Sequence, residues 1–108
     1  MHTDQVSAVT LQLGAGCSAC AIQRGRSIET SMGFTPLEGL VMTTRSGDID
    51  AAIVVHLMRA GFSADRIEHE LTKCSGLRAL SGFSDMREIL SAEALGRQEA
   101  KMAIDLFC

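Results

Sequence analysis

The sequence predicts an α/β unit of the α+β type, in which a small antiparallel sheet is followed by helices. Three observations lead to this prediction: strand-like patterning with two turns over about residues 5–31, an aperiodic stretch over 31–48, and helical spacing of apolar residues over about 48–107. Strands grouped ahead of helices are typical of that class. The 108 residues allow one domain. No later strand candidate completes the sheet, so we expect 1–108 to be a single partial domain.

The strands are predicted from short repeats of alternating character. Apolar and polar residues alternate over 9–13, which is the period of a strand, and this segment runs into the turn 14–16. Small residues dominate the return segment 18–23, and a second turn at 24–26 precedes 27–31. The first thirty residues therefore predict a three-stranded antiparallel meander.

The segment 31–48 lacks the periodicity of either element and contains Pro36, Gly33, Gly39 and Gly47. Its composition predicts a loop with a short helical turn around 37–42. Loops of this length inside compact domains are usually functional or disordered. This one is too apolar for a linker, so we interpret it as functional.

About four helices are predicted after the loop. Asp48 is the expected cap of the first, which ends at Gly61, and Ser63 caps the second. Asp85 and Glu88 form a capping-box pattern for the third. The apolar stripes predicted for the first and the last helix are Ile49, Ala52, Ile53, His56, Leu57 and Ala60, and Ala100, Ala103, Ile104 and Phe107.

The composition argues against several classes of function. Net charge is −3, the basic residues are scattered, and Tyr and Trp are absent, so we expect no nucleic-acid partner. The sequence shows no membrane-spanning apolar run and no signal peptide, so we expect a cytoplasmic protein with no membrane association. Cys17 and Cys20 lie three apart on a predicted strand and would point to opposite faces, which argues against a metal or redox module.

Four motifs resemble one enzyme family. Residues 30–50 read TSMGFTPLEGLVMTTRSGDID, residues 13–18 LGAGCS, residues 72–77 TKCSGL and residues 84–87 SDMR. The first is similar to the signature of the acetate kinases, a family that includes propionate and butyrate kinases, and the others resemble further segments of the same proteins. The likeness extends over nearly the whole chain.

This resemblance implies an actin-like, ribonuclease-H-like (ASKHA) fold, with two related α/β domains closing over a nucleotide. The chain would be an internal fragment from the start of the second domain. The family's N-terminal Asn/Ser loop, first-domain acidic and histidine residues, later glycine-rich loop and C-terminal magnesium-holding glutamate have no counterpart in it. The implied cofactor is Mg-ATP, with no metal ligand in this chain.

The implied reaction is phosphoryl transfer between ATP and acetate, or another short carboxylate, giving acetyl phosphate and ADP. Arg45 matches the family's catalytic arginine, and a rigid guanidinium suits the charge on moving phosphoryl oxygens. The alternatives are that Arg45 is a solvated loop arginine or that it is a partner for Asp48. Pro36 matches a position that lines the pocket of the acetate methyl group; alternatively it is a rigid loop proline.

The resemblance also implies an ATP site made of two segments. The family usually has His at position 12 and Asn at position 15, so with Ala15 the phosphate contact would depend on backbone N–H groups. The alternatives are an ordinary hairpin turn and, for the second segment, a simple helix cap. The residues implied are Gln12, Leu13, Gly14, Ala15 and Gly16 near the phosphates, and Asp85, Met86 and Arg87 beside the adenosine.

Two hypotheses about function follow. In the first, the chain is a segment of an acetate kinase that is not competent alone, because in-line transfer needs both walls of a closed cleft. In the second, it is a non-catalytic, stand-alone relic domain that self-associates or binds nucleotide weakly. Unpaired sheet edges invite pairing, so we expect a homo-oligomer.

Overall fold

The computed structural model describes residues 3–108. After a 3-10 turn at Thr3–Gln5, the chain forms β1 (Ser7–Leu13), β2 (Cys17–Gln23) and β3 (Arg26–Thr30). The strands are antiparallel and lie in the order β1-β2-β3. The predicted meander is therefore confirmed.

The sheet is open over much of its surface. All seven residues of β1 and all five of β3 are exposed, and Leu11 keeps 59% of its surface in contact with solvent. In the register of β1 and β2, Leu13 faces Cys17, which places the turn 14–16 at one end of the sheet. That turn closes through a bond from Gly14 N to Gly16 O of 2.9 Å.

Five helices follow: α1 (Ala51–Arg59), α2 (Ala64–Lys73), α3 (Gly76–Ser81), α4 (Met86–Ala94) and α5 (Gln98–Phe107). Four of them are the predicted helices, and the six-residue α3 is an addition. Fewer than two turns of α-helix give too little periodicity to detect in a sequence. The predicted fold class is confirmed.

The details around α1 differ from the prediction. Asp50, rather than Asp48, caps the helix, accepting a bond of 2.8 Å from Ala52 N. The helix therefore starts after Ile49, and none of its residues is buried. The apolar residues predicted for one face of this helix do recur at helical spacing in the sequence, but they are not part of the core.

One further local prediction is wrong, and another is confirmed in part. The helical turn expected over 37–42 is absent, because the loop there follows bends and one turn. Asp85 does cap α4, but its side chain accepts from the backbone N of Arg87 rather than from that of Glu88. The cap at Ser63 is as predicted, with Oγ accepting from Arg66 N at 3.2 Å.

The core lies among the last three helices. Its buried residues are Leu77, Ile89, Ala92, Ala100 and Ala103. Ala100 and Ala103 have no exposed surface, which allows α5 to pack closely on its neighbours and confirms the predicted inner face of that helix. In the described part of the chain, no helix has the length and apolar character needed to span a bilayer.

Candidate functional site

Within the loop 31–48, two hydrogen bonds between Gly39 and Asp48 close the segment 39–48. Gly39 N donates to Asp48 Oδ1 at 2.7 Å, and Asp48 N donates to the carbonyl oxygen of Gly39 at 2.8 Å. The Asp48 carboxylate is therefore already hydrogen-bonded within the loop, which explains why it does not cap α1. We refer to residues 39–48 as the closed loop.

The start of α3 fixes the centre of the closed loop. Leu77 N donates to Met42 O and Arg78 N donates to Thr43 O, both at 2.9 Å. The loop carbonyls thus satisfy backbone N–H groups that a helix start leaves without partners. Gly76 permits this approach, because it has φ +67° and a Cβ there would collide with the carbonyl oxygen of Met42.

Arg45 lies in the closed loop and reaches toward the β1–β2 turn. Its Nη1 donates to the carbonyl oxygen of Pro36 at 3.1 Å, and a Cβ built on Gly16 would stand 3.5 Å from the same nitrogen. Within residues 3–108 Arg45 forms no ion pair, so the alternative of a pair with Asp48 is wrong. Arg45 is half-buried, and its guanidinium is positioned by the neutral Pro36 carbonyl and Met42 sulfur, which leaves its charge available to an anion.

A cleft of about 650 Å³ separates the β1–β2 turn from the start of α4, and we call it the turn cleft. The closed loop is joined to this cleft by a bond from Thr43 N to Ala15 O of 3.2 Å. Five of the eight residues expected around ATP line it although they are distant in the sequence. These five residues are Leu13, Gly14, Ala15, Asp85 and Met86.

The other three expected ATP residues lie near the cleft or point away from it. The amide nitrogen of Gln12 is 3.8 Å from a Cβ built on Gly14, and Gly16 faces Arg45. Arg87 instead borders a separate depression of about 560 Å³, where Arg97 lies over the ring of Phe83. Its contact with adenosine stays a prediction.

A third concavity, which we call the helix groove, has a volume of about 720 Å³ and lies between the loop and the helices α1 and α2. Pro36 and Arg45 both line it. The two residues that the sequence associates with the carboxylate therefore lie together. Arg45 contributes to this groove and also lies next to Gly16 of the turn.

The sequence profile of the acetokinase family matches residues 1–108. The chain belongs to the acetokinase family. It is 54% identical over 100 residues to an acetate kinase of Acaryochloris marina and 49% identical over 106 residues to one of Campylobacter concisus. These matches cover 92% and 97% of this chain but 25% and 26% of the relatives, so the chain spans about a quarter of their length.

Solved structures of this family have the same fold over the matching region. The acetate kinase of Porphyromonas gingivalis is similar with a TM-score of 0.91 at 40% identity, covering 96% of this chain and 27% of that one. A propionate kinase of Francisella tularensis is similar with a TM-score of 0.88 at 47% identity, covering 92% of this chain and 26% of that one. The likeness confirms the family resemblance and the partial-domain character of the fold class.

Seven residues of this acetokinase segment line the turn cleft without having been predicted as site residues: the buried Cys17, Met42, Leu77 and Ile89, and the less buried Thr43, Ser84 and Phe107. Thr43 and Ser84 belong to the motifs TTRSGD and SDMR, so their place in those motifs was a usable signal. Phe107 lies at the end of α5 and reaches the cleft only through tertiary packing. Nothing local in the sequence marks it.

Asp85 is electrostatically distinct at the edge of the turn cleft. Arg87 Nε donates to its two carboxylate oxygens at 3.0 and 3.2 Å. Side-chain hydrogen bonding to Arg87, with a further bond from the Arg87 backbone N–H, lowers the pKa of Asp85 from 3.8 to about 2. The same pair raises the pKa of Arg87. Asp85 is therefore ionised throughout the neutral range.

We expect Arg87→Ala to raise the pKa of Asp85 back toward 3.8, measured by the carboxyl carbon shift in an NMR titration. Because the folded-state pKa is lowered, the stabilisation from the pair is complete above 3.8 and is lost as the pH falls through about 2. Arg97→Ala is the matched control, because Arg97 borders the same depression without bonding Asp85. Equal effects of the two substitutions would contradict the assignment.

Proposed function

We propose that this chain supplies one wall of an acetate-kinase type of active site, in which a phosphoryl group passes between Mg-ATP and a short carboxylate. The observation that carries the proposal is the placement of Arg45, whose guanidinium forms no ion pair within residues 3–108 and lies between the helix groove and the glycine turn. Phosphoryl transfer depends on positioning and on neutralising charge at the phosphoryl oxygens. A fixed arginine between two concavities suits both tasks.

The turn cleft fits a nucleotide by its chemistry. Gly14 and Ala15 carry no bulky side chain on one wall, which leaves space for phosphate oxygens near the turn. Met86 and Phe107 provide apolar surface that suits a base or ribose. When bound, magnesium would supply further charge neutralisation at the phosphates. Asp85, the one carboxylate lining the cleft, is engaged by Arg87, so we assign no magnesium ligand to this chain.

Arg45 and Pro36 then each have a defined part in the reaction. Arg45 would bind the carboxylate or the transferring phosphoryl oxygens bidentately. The Pro36 carbonyl, which accepts a bond from Arg45 Nη1, orients the guanidinium, and the Pro36 ring borders the substrate. One wall cannot exclude water or align two substrates. We therefore propose that the chain binds nucleotide weakly alone and transfers phosphate only with the complementary part of such an enzyme.

The open sheet favours one further property, self-association. Val9 and Leu13 on β1 and Ile28 on β3 expose 68%, 58% and 59% of their surface. Exposed apolar edge strands invite pairing with another chain. The proposal of a homo-oligomer is tested by sedimentation over a range of concentrations, where a monomer at every concentration would contradict it.

The test of the proposed function is calorimetry of Mg-ATP titrated into the chain. We expect saturable binding that Ala15→Asp weakens about tenfold, because a carboxylate at the turn would repel phosphate. Ala15 is exposed and its φ is not positive, so the variant should fold. Ala51→Asp is the control, adding the same charge at the first turn of α1, where it is tolerated. Absence of binding, or equal weakening by both variants, would reject the proposal.

A further inference from the structure

The helix groove is far larger than acetate requires. It measures about 720 Å³, within the size range of pockets that enclose drug-sized ligands. Its floor is apolar: Val54 and Met58 lie one turn apart on α1, and Ile67 and Leu71 lie one turn apart on α2. One turn of helix extends about 5.4 Å along the axis, so the apolar floor is longer than a methyl group.

The charges around the groove favour an anion. Arg45 and Lys73 line it together with a single carboxylate, Glu68, which leaves an excess of one positive charge. Neither cation forms an ion pair within residues 3–108. An anionic head could therefore be bound by either residue without breaking an existing ion pair.

The apolar residues of the groove differ in how much of their surface remains in contact with solvent. Ile67 is 4% exposed, while Val54 and Leu71 are half-buried. Met58 also lines the groove and keeps 57% of its surface exposed. Thioether side chains adapt their shape to apolar ligands. A flexible hydrocarbon chain would remove this exposed apolar surface from water.

We propose that the helix groove binds linear carboxylates of medium length, such as hexanoate and octanoate, with the carboxylate at Arg45 and the chain between α1 and α2. The inference rests on the proposed function, since it extends the substrate class of the same site beyond short acids. Each additional methylene that is buried should tighten binding about fourfold. Affinity should therefore rise steadily from acetate to octanoate.

The experiment titrates acetate, butyrate, hexanoate and octanoate into the full chain without nucleotide, followed by methyl and amide NMR signals. We expect a graded increase in affinity, with shifts at Val54, Ile67 and Leu71. Met58→Glu should weaken octanoate about tenfold and acetate little, because the added carboxylate faces the chain-binding part. Met102→Glu is the matched control, since Met102 is 60% exposed on α5 and should leave all affinities unchanged.

Three outcomes would overturn this inference: equal affinity for all four acids, octanoate binding that both Met→Glu variants weaken equally, or binding that vanishes as the chain self-associates over the groove. The proposed function fails separately. If carboxylates bind with the expected chain-length dependence but Mg-ATP gives no calorimetric signal, the nucleotide proposal is wrong and the groove stands. If Mg-ATP binds but chain length has no effect, only the groove assignment is wrong.

Discussion

Replacing Gly76 by alanine is expected to lower the free energy of unfolding by about 3 kcal/mol. Gly76 has φ +67°, a region that costs energy for any residue with a Cβ, and the added carbon would also overlap the carbonyl of Met42. Both groups belong to the junction between the closed loop and α3. Relief of the overlap would break the bonds from Leu77 N and Arg78 N to the loop and so release Arg45 from its position.

The matched control for this substitution is Gly82→Ala. Gly82 has φ +83°, yet a Cβ there would meet nothing within 4 Å. The Gly82→Ala substitution should therefore lower the free energy of unfolding only by the cost of a positive φ for alanine, about 1 kcal/mol. Urea unfolding of the two variants separates strain from overlap. If both lose the same stability, the close approach at Gly76 is not what holds the loop.

Truncating Ile89 to alanine is expected to cost about 3 kcal/mol, because it removes a buried side chain and leaves a cavity. Ile89 is 1% exposed and contributes to the core with Leu77, Ala92, Ala100 and Ala103. Two of these neighbours have no exposed surface and are already alanine. They offer no longer side chain that could move into the vacated space.

Leu90→Ala provides the control on the next residue of α4. Leu90 is 48% exposed, so its truncation removes little buried surface, and we expect a loss below about 1 kcal/mol. Thermal unfolding of both variants decides the matter. A similar loss of stability at positions 89 and 90 would mean that the core is not where the structure places it.

The strands and most helices could be predicted because their signals are local. Alternation over 9–13 and the glycines of the 14–16 turn define the first hairpin without help from the rest of the chain. Ser63 and Asp85 cap their helices as their residue types predict. In these places local preference and tertiary structure agree.

The predictions failed where a tertiary contact decides between local alternatives. Asp48 and Asp50 are equally suitable helix caps in the sequence, and only the bond from Gly39 N to Asp48 removes one of them. The short α3 exists because loop carbonyls complete its first turn. The apolar stripe of α1 looks like a core face, but no other described element buries it. Helical periodicity of apolar residues identifies the apolar face of a helix, but it does not show which element covers that face.

The candidate site depended on resemblance rather than on spacing. Residue spacing alone gives no reason to expect Ala15 and Met86 in the same cleft. The family motifs predicted that both residues lie at the ATP site, and both line the turn cleft. The role of Arg45 as a nucleotide or carboxylate ligand remains a prediction, as do the roles of the other site residues. Arg87 illustrates the limit, since its side chain is held by Asp85 outside the turn cleft.

The most direct test of the account is an NMR titration of the isotope-labelled chain with magnesium and a non-hydrolysable ATP analogue. The account predicts saturable shifts at the amides of residues 14–16 and 84–86 and at the side-chain Nε of Arg45, since these surround the turn cleft or contact its turn. Shifts confined to the exposed sheet residues, or no saturable shifts at all, would contradict the claim that this segment forms a nucleotide-binding wall.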